Sequence, residues 1–366
     1  MQIQFSSPYI HLFRTLKHRH LTAYLAGEDL LYAIYGLPPI SPFTLVTTSP
    51  IFDAKEALIQ AGYTLAAEDS FVFAHPNTVR LIYTKSIHDY LERQPFTIVA
   101  AAADETGAVL ASQQSLCDIK QHHLSCQGHT VDYLTNEPIN KLIALRLVAQ
   151  FEKMVLSDEL YAAIQQNPSL DQVPKTIIAR EINRLLTADN TATALLLLRD
   201  LRLLHEIFPD LANCIGVSQN EYHTKDVYEH SVDVVANIPS DKLELRMAAL
   251  FHDLCKPQCK KQINGKVRFP HHDSASADLC AAILQKYGYP QDFIDTVHHL
   301  IAYHMKKQAM SDEELLKILH HCGPTVTENI FVLQAADNAA TMDTRPYGIT
   351  ANRQRVHTLL KQLHKV

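Results

Sequence analysis

Ala248-Ala-Leu-Phe-His-Asp-Leu-Cys-Lys256 is the stretch from which the chain is read. An apolar helical pattern runs into His252 and Asp253, and Lys256 follows one turn on. Adjacent residues on an α-helix point about 100° apart, so such a pair does not share a face. It converges on one ion only at a helix end, where the backbone carries both side chains toward a common point. Four companions strengthen the reading: His230 in Asp226-Val-Tyr-Glu-His230, His272 in Arg268-Phe-Pro-His-His272, His304 in Ile301-Ala-Tyr-His304, and Asp337 in Ala335-Ala-Asp337. Each belongs to a different expected helix or helix start.

Imidazoles and carboxylates gathered in one pocket leave charge and polarity buried unless something compensates them. A divalent cation does so directly. Mixed imidazole and carboxylate donors without thiolate suit Mn, Fe, Co, Ni or Zn. His230, His252, Asp253, His272, His304 and Asp337 are too many for one tetrahedral site, so the expectation is one or two ions, with Asp253 bridging in the second case. Two ions would activate a water and clamp the oxygens of a phosphate ester. Lys256 and the basic residues after it would steady the phosphate. His298-His299 and His320-His321 read as helix-face residues, and Cys255 and Cys259 as packing or loop residues.

The 366 residues imply two or three domains, and 47% hydrophobic with 20% charged residues is a globular composition. No apolar run approaches the roughly 20 residues that span a bilayer, and Met1-Gln-Ile-Gln-Phe-Ser-Ser-Pro8 lacks a secretion-signal pattern. Seven scattered cysteines fit reduced thiols and a cytoplasmic location. A net charge of −6 excludes indiscriminate polyanion binding. Nucleic-acid contact would need a local patch, either Arg14–Arg19 or Lys256 with Lys260, Lys261, Lys266 and Arg268. The sequence carries no signal for an oligomeric state.

The N-terminal third reads as α/β: strands over 20–25 and 43–47, helices over 28–35 and 53–61, a hairpin of 71–74 with 79–83 around His75-Pro-Asn-Thr78, and a second hairpin of 96–103 with 108–110. From about residue 136 the pattern has helical period. Helices are expected over 139–155, 174–187, 191–207, 225–237, 241–255, 274–287, 291–305, 312–321, 326–342 and 351–364.

His230, the His252-Asp253 doublet, Lys256 and Asp337 resemble an HD-family metal-dependent phosphohydrolase domain. Lys256, His272 and His304 resemble the members that bind two metals. The remainder is similar to the bacterial tRNA nucleotidyltransferase (CCA-adding enzyme and poly(A) polymerase) family, several members of which carry a C-terminal HD domain. Arg93-Gln-Pro-Phe-Thr-Ile-Val-Ala100 stands where that family has Arg-Arg-Asp-Leu-Thr-Ile-Asn-Ala. Pro138–Phe151, with Arg146, resembles its Arg-rich neck helix, and Leu198-Arg-Asp-Leu201 and Ile207-Phe-Pro-Asp-Leu211 resemble its body helices.

The departures fall on the family's catalytic positions. Its Gly-Gly turn and Arg-Asp become Ala26-Gly27 and Leu31-Tyr32. Its paired Mg²⁺ carboxylates become Ser41 and Phe43. Pro95 replaces an Asp and Val99 an Asn. Two neck-arginine positions read Asn140 and Ile143. The resemblance therefore implies an α+β protein: a degenerate nucleotidyltransferase-like head (1–135), a helical neck and body (136–215), an all-helical HD domain (216–342) and a C-terminal helix (343–366). It implies a phosphohydrolase acting on 2′,3′-cyclic or 2′-phosphates of nucleotides or RNA ends. Asp253 has the central role, while Lys256 and His223 contact phosphate. Losing two Mg²⁺ carboxylates forfeits the charge stabilisation on which phosphoryl transfer depends, so nucleotide addition is expected to be absent unless Asp29 or Asp53 substitutes. The alternatives are a non-catalytic protein that binds tRNA or nucleotide, and retained nucleotidyltransferase activity.

Overall fold

In the computed structural model, residues 1–39, 42–67, 71–74, 78–342 and 347–363 are described. Contacts divide the chain into two units: Met1–Glu137 with Lys153–Ala163, and Pro138–Glu152 with Ile164–Val366.

The first unit is built on a seven-stranded sheet. Its strands are β1 (Ala23–Ala26), β2 (Phe43–Thr47), β3 (Thr64–Ala67), β4 (Val72–Ala74), β5 (Val79–Tyr83), β6 (Ala101–Ala103) and β7 (Val109–Ala111), in the spatial order β3-β4-β5-β2-β1-β6-β7. β2 and β5 run parallel, with Phe43 opposite Val79; the other neighbours are antiparallel. The central strands β1, β2 and β6 are nearly continuous small and apolar residues because both faces are buried, whereas the edge strand β3 is mostly exposed.

Two expectations change here. The β-branched run Phe96–Val99 is not strand. Thr97–Val99 forms a 3₁₀ turn, since the Thr97 hydroxyl donates to buried Asp118 at 2.5 Å and its amide to the Ser125 carbonyl at 3.0 Å. Tertiary hydrogen bonds outweigh β-propensity at that point. The basic patch from Arg14 coincides with an unforeseen helix, Ser7–Lys17, that buries Tyr9, Leu12, Phe13 and Leu16. The hairpin of β4 and β5 is present, but its turn residues 75–77 lie outside the described residues.

The second unit is helical, with one addition. Lys261–Ile263 and Lys266–Arg268 pair antiparallel around Asn264-Gly265, whose φ values of 51° and 73° make a tight hairpin turn. The Asn-Gly dipeptide was the signal for this hairpin within an otherwise helical domain. The helix expected over 191–207 breaks at Arg202 (φ 62°) into Thr191–Asp200 and Leu203–Ile207. The helices that frame the site are α1 (Val227–Ala236), α2 (Leu243–Phe251), α3 (His272–Lys286), α4 (Gln291–Tyr303) and α5 (Asp312–Ala339). α5 is kinked at Gly323 (φ 78°), just before Pro324, where two helices were expected. α2 packs against α1, α4 and α5, and all of Leu245–Phe251 is buried.

Candidate metal centre

The apolar helix α2 ends at Phe251, four residues short of the expected 255, so His252 caps it and Asp253 lies just beyond. The amide of Lys256 closes a turn on the Asp253 carbonyl at 2.9 Å. The pair therefore sits where the backbone turns away from the helix axis. His272 opens α3 after His271 in the left-handed region (φ 58°), and His304 caps α4. His230 lies within α1, whose N-cap Asp226 accepts from the Glu229 amide, and Asp337 lies near the end of α5. Gln334, one turn before Asp337, donates to the carbonyls of Tyr303 and Lys306 at 3.0 and 3.1 Å and ties α5 to the His304 corner.

These six side chains meet in one buried cluster. His230, His252 and Asp337 offer atoms within 4.8 Å of one another, as do His252, Asp253 and His304. The two oxygens of Asp253 sort the imidazoles. Oδ2 faces His252 Nε2 at 3.1 Å and His230 Nε2 at 3.7 Å, while Oδ1 faces His272 Nε2 at 3.1 Å and His304 Nε2 at 3.8 Å. His230 Nε2 also meets Asp337 Oδ1 at 3.0 Å.

The chemistry of the set fits a cation. The Nδ1 atoms of His252, His272 and His304 donate to the carbonyls of Ala249, Phe269 and Ile301 at 2.7, 2.7 and 2.6 Å. That turns each Nε2 inward, where it offers a lone pair when the ring is neutral. Those three Nε2 atoms and Asp253 Oδ1 are buried without a hydrogen-bond partner among the described residues, while Asp253 Oδ2 has the Lys256 ammonium at 2.6 Å. Lone pairs thus face lone pairs across about one ion's width, and a divalent cation resolves this where a proton on every nitrogen could not. The split of the imidazoles between the two oxygens of Asp253 suits a bridging carboxylate.

Charge around the cluster is tuned by ammonium groups. Desolvation opposes ionisation of Asp253, yet His252 and Lys256 hold its carboxyl well below the usual range. Asp337 is likewise held low against desolvation, chiefly by Lys307. Burial, then His252 and His272, keep His304 neutral far below its ordinary pKa. Desolvation opposes protonation of His252, but Asp253 and Asp337 together raise its pKa.

Lys256 places Nζ 2.6 Å from Asp253 Oδ2 and donates to Gln219 at 2.6 Å. His223 lies beside the cluster: its ring meets that of His230, and its Nδ1 donates to Asn220 Oδ1 at 2.8 Å. Burial, then Lys256 and His230, lower its pKa to about 4. A cavity of about 490 Å³ opens onto Asp253, His272 and Asp337, with Lys256 and His223 in its wall.

Sequence reasoning missed Lys307. It is buried in the same wall, with Nζ 2.5 Å from Asp337 Oδ2. Its signal was its spacing, since it follows His304 by three residues as Lys256 follows Asp253. Its loop is held by the start of the last helix: the Gly348 amide donates to the Lys307 carbonyl, and buried Asn352 pairs with Gln308 and Met310. A Cβ on Gly348 would come within 2.4 Å of the Ala309 nitrogen, so only glycine fits there.

Among its described residues the N-terminal unit gathers nothing comparable. Phe43 is buried edge-on against Tyr9, and Ser41 lies outside the described residues. Asp29 is buried, and its Oδ2 accepts from the Thr44 amide at 2.9 Å, while Asp53 is exposed on the helix Ile51–Gln60. Neither joins a group of metal-capable donors among the described residues. Arg146, on the neck-like helix Asn140–Gln150, points inward and is ion-paired to Glu181 at 2.7 Å. No helix among the described residues is long and apolar enough to cross a membrane.

Residues 220–342 match the family described as the HD domain, and residues 146–215 match the probable RNA and SrmB-binding site of polymerase A. The chain is 26% identical over 267 residues to the A-adding tRNA nucleotidyltransferase of Deinococcus radiodurans, covering 70% of this chain and 61% of that protein. It is 29% identical over 170 residues to the CC-adding tRNA nucleotidyltransferase of Thermus thermophilus, covering 45% and 39%. It is 25% identical over 333 residues to the multifunctional CCA protein of Hahella chejuensis, covering 82% and 76%. The chain thus spans less than two thirds of the length of the first two relatives. Its fold matches that of the Bacillus stearothermophilus CCA-adding enzyme in complex with CTP, with a TM-score of 0.68 at 16% identity over 98% of this chain and 84% of that one. Both domain matches lie in order, and the chain is similar over most of its length to bacterial tRNA nucleotidyltransferases.

Proposed function

We propose that this protein is a metal-dependent HD phosphohydrolase, acting in the cytoplasm on 2′,3′-cyclic or 2′-phosphates of nucleotides or RNA ends. Its domains are a degenerate head (1–135), a neck and body (136–215), an HD domain (216–342) and a C-terminal helix (343–366). The observation that carries the reading is the inward convergence of imidazole lone pairs on Asp253, buried and without hydrogen-bond partners among the described residues. His230, His252, Asp253 and Asp337 would hold one divalent ion, and His272 and His304, with Asp253 shared, a second. An ion there supplies Lewis-acid polarisation of the phosphoryl group and a lowered pKa for the attacking water.

In opening a cyclic phosphate, the water oxygen bonds phosphorus, one ribose–phosphorus bond breaks, and a proton passes to the released ribose oxygen. Lys256 and Lys307 offer ammonium groups to the phosphate oxygens. Their present partners, Asp253 and Asp337, are the carboxylates that a cation would neutralise. His223 is neutral near pH 7 with Nδ1 committed to Asn220, so its Nε2 accepts, which suits a substrate hydroxyl better than an anionic oxygen.

Nucleotide addition to tRNA is the second reading, favoured by the activities in the relatives' names. Buried Phe43 and the absence of a head carboxylate cluster among the described residues count against it. A non-catalytic tRNA- or nucleotide-binding role is the third.

The test is metal analysis of chelator-free protein, with Mn²⁺-, Ni²⁺- and Co²⁺-supplemented turnover of 2′,3′-cyclic AMP and bis-p-nitrophenyl phosphate. The reading expects one or two transition ions per chain and turnover that Asp253→Ala abolishes. No turnover with any metal overturns it. Incorporation of labelled CTP or ATP into tRNA lacking its 3′ end would establish the second reading instead.

A further inference from the structure

We propose that the hairpin Lys261–Arg268 is a docking lip for single-stranded RNA, so that the phosphohydrolase site acts on the end of a strand in preference to a free nucleotide. The inference rests on the phosphohydrolase reading and deepens it by naming the substrate form.

Four observations carry it. First, Lys256 to His272 contains five Lys and Arg residues and no Asp or Glu, in a chain of net charge −6. Second, the register pairs Lys261 directly with Arg268, and Ile263 with Lys266. Opposed residues share a face and side chains alternate along each strand, so Lys261, Ile263, Lys266 and Arg268 all project from one face. Like charges directly opposite destabilise a hairpin, and an anion lying across this face would relieve that repulsion. Among the described residues no carboxylate pairs with Lys261 or Arg268. Lys266 has only an exposed contact with Glu221 at 3.3 Å, of a kind that contributes little.

Third, the hairpin is part of the cavity wall: Ile263 and Arg268 from the basic face, Val267 from the opposite one and the adjoining Phe269 all line it. An RNA whose terminal phosphate reaches the His–Asp centre must carry its next phosphates over the cavity rim, and this face is the basic part of that rim. Fourth, apolar surface is interleaved with the charge. Ile263 is 44% exposed, and Phe269, with Lys256 Nζ 5.3 Å from its ring centroid, offers a surface on which a base can stack. Charge for the backbone and apolar surface for bases together favour a single strand over an acidic protein.

The experiment uses the full-length, metal-loaded protein with two substrates: 2′,3′-cyclic AMP and a short oligoribonucleotide ending in a 2′,3′-cyclic phosphate. The sequence expectation that Lys261 and Lys266 steady the reacting phosphate is not met, because neither lines the cavity, so K261A/K266A tests the lip apart from the centre and K261R/K266R restores its charge. Thermal melts check that both variants fold. The wild type is expected to favour the oligonucleotide by about 10-fold or more in kcat/KM at 50 mM salt. Neutralising two phosphates gives a logarithmic salt slope of about 1.4 for a single strand, so about 7-fold of that preference should vanish by 200 mM. K261A/K266A should lose the preference and keep its activity on 2′,3′-cyclic AMP, and K261R/K266R should retain both. Equal kcat/KM for the two substrates, or a preference that survives K261A/K266A, overturns the proposal and leaves the phosphohydrolase reading standing. If neither substrate turns over, that reading fails alone. Docking is then judged by fluorescence anisotropy of a labelled oligoribonucleotide, where equal affinity of wild type and K261A/K266A overturns it. Displacement of the RNA by polyglutamate as readily as by unlabelled RNA would also overturn it.

Discussion

Arg146 and Asp253 are both charged, both buried and both in the second unit, yet their surroundings differ. The Arg146 guanidinium meets Glu181 at 2.7 Å and the Gln150 amide oxygen at 2.5 Å. Nearby Arg246 behaves in the same way, donating to the carbonyls of Leu186, Ala188 and Ile238. Around these guanidiniums, donors point at acceptors. Around Asp253, most acceptors point at acceptors: imidazole nitrogens with their Nδ1 protons committed to carbonyls face carboxylate oxygens, and only Oδ2 has an ammonium, that of Lys256 at 2.6 Å. Burial of charge therefore does not mark a ligand site by itself. The mark is a set of lone pairs that the protein leaves mutually unanswered.

The largest effect that could break this contrast is at the metal centre. Asp253→Ala should lower phosphohydrolase turnover by about 10³-fold or more, with a matching loss of bound metal in elemental analysis. A variant that keeps its metal and rate would reduce the cluster to a structural network. Next in size is Arg146→Ala. It leaves Glu181 only the outer arginines Arg180 at 3.3 Å and Arg184 at 4.0 Å and should cost about 3 kcal/mol of stability in denaturant titration, the lower end for removal of one partner from a buried pair, while metal content holds. Full stability with altered nucleotide affinity would instead make Arg146 a ligand-reading residue.

Lys307→Ala sharpens the distinction between the edge of the centre and its interior. If its ammonium answers substrate phosphate, KM should rise on the order of 10-fold, the scale of one charged hydrogen bond, with metal content unchanged. A loss of metal would put Lys307 among the groups that build the centre. The smallest effect is at His299, whose ring stands against that of His321. Burial, then His321 and His298, lower its pKa. Its folded pKa lies below the unfolded value of about 6.5, so folding favours the neutral ring. That contribution is complete above pH 6.5 and is lost as pH falls from there toward the folded value. The ring is half-exposed and screened by solvent, so His299→Asn should flatten stability below pH 6.5 by only about a few tenths of a kcal/mol.

Helices of clear period, such as Lys175–Leu186 and Gln291–Tyr303, were legible to within a residue or two because each buries one continuous stripe. Short elements were not. The helices Gln113–Gln121 and Thr130–Asn136 carry too few periodic residues to stand out, and Asn264-Gly265 was overlooked in a region read as helix and loop. Lys307 escaped because a lysine beside a histidine reads as surface until the fold buries it.

The linear order alone determined which donors exist: the histidines and aspartates of five separated segments, the lysine one turn past Asp253, and an apolar Phe43 where the resemblance leads one to expect a carboxylate. These are facts of side-chain chemistry, and folding does not alter them. Only the tertiary structure decided how the donors are aimed. Nothing in the order of residues says that the Nδ1 protons of His252, His272 and His304 go to backbone carbonyls, that Asp253 divides its oxygens between two pairs of imidazoles, or that Asn352 holds the Lys307 loop. Those depend on where helices end and which carbonyls they leave exposed, which packing among distant segments sets.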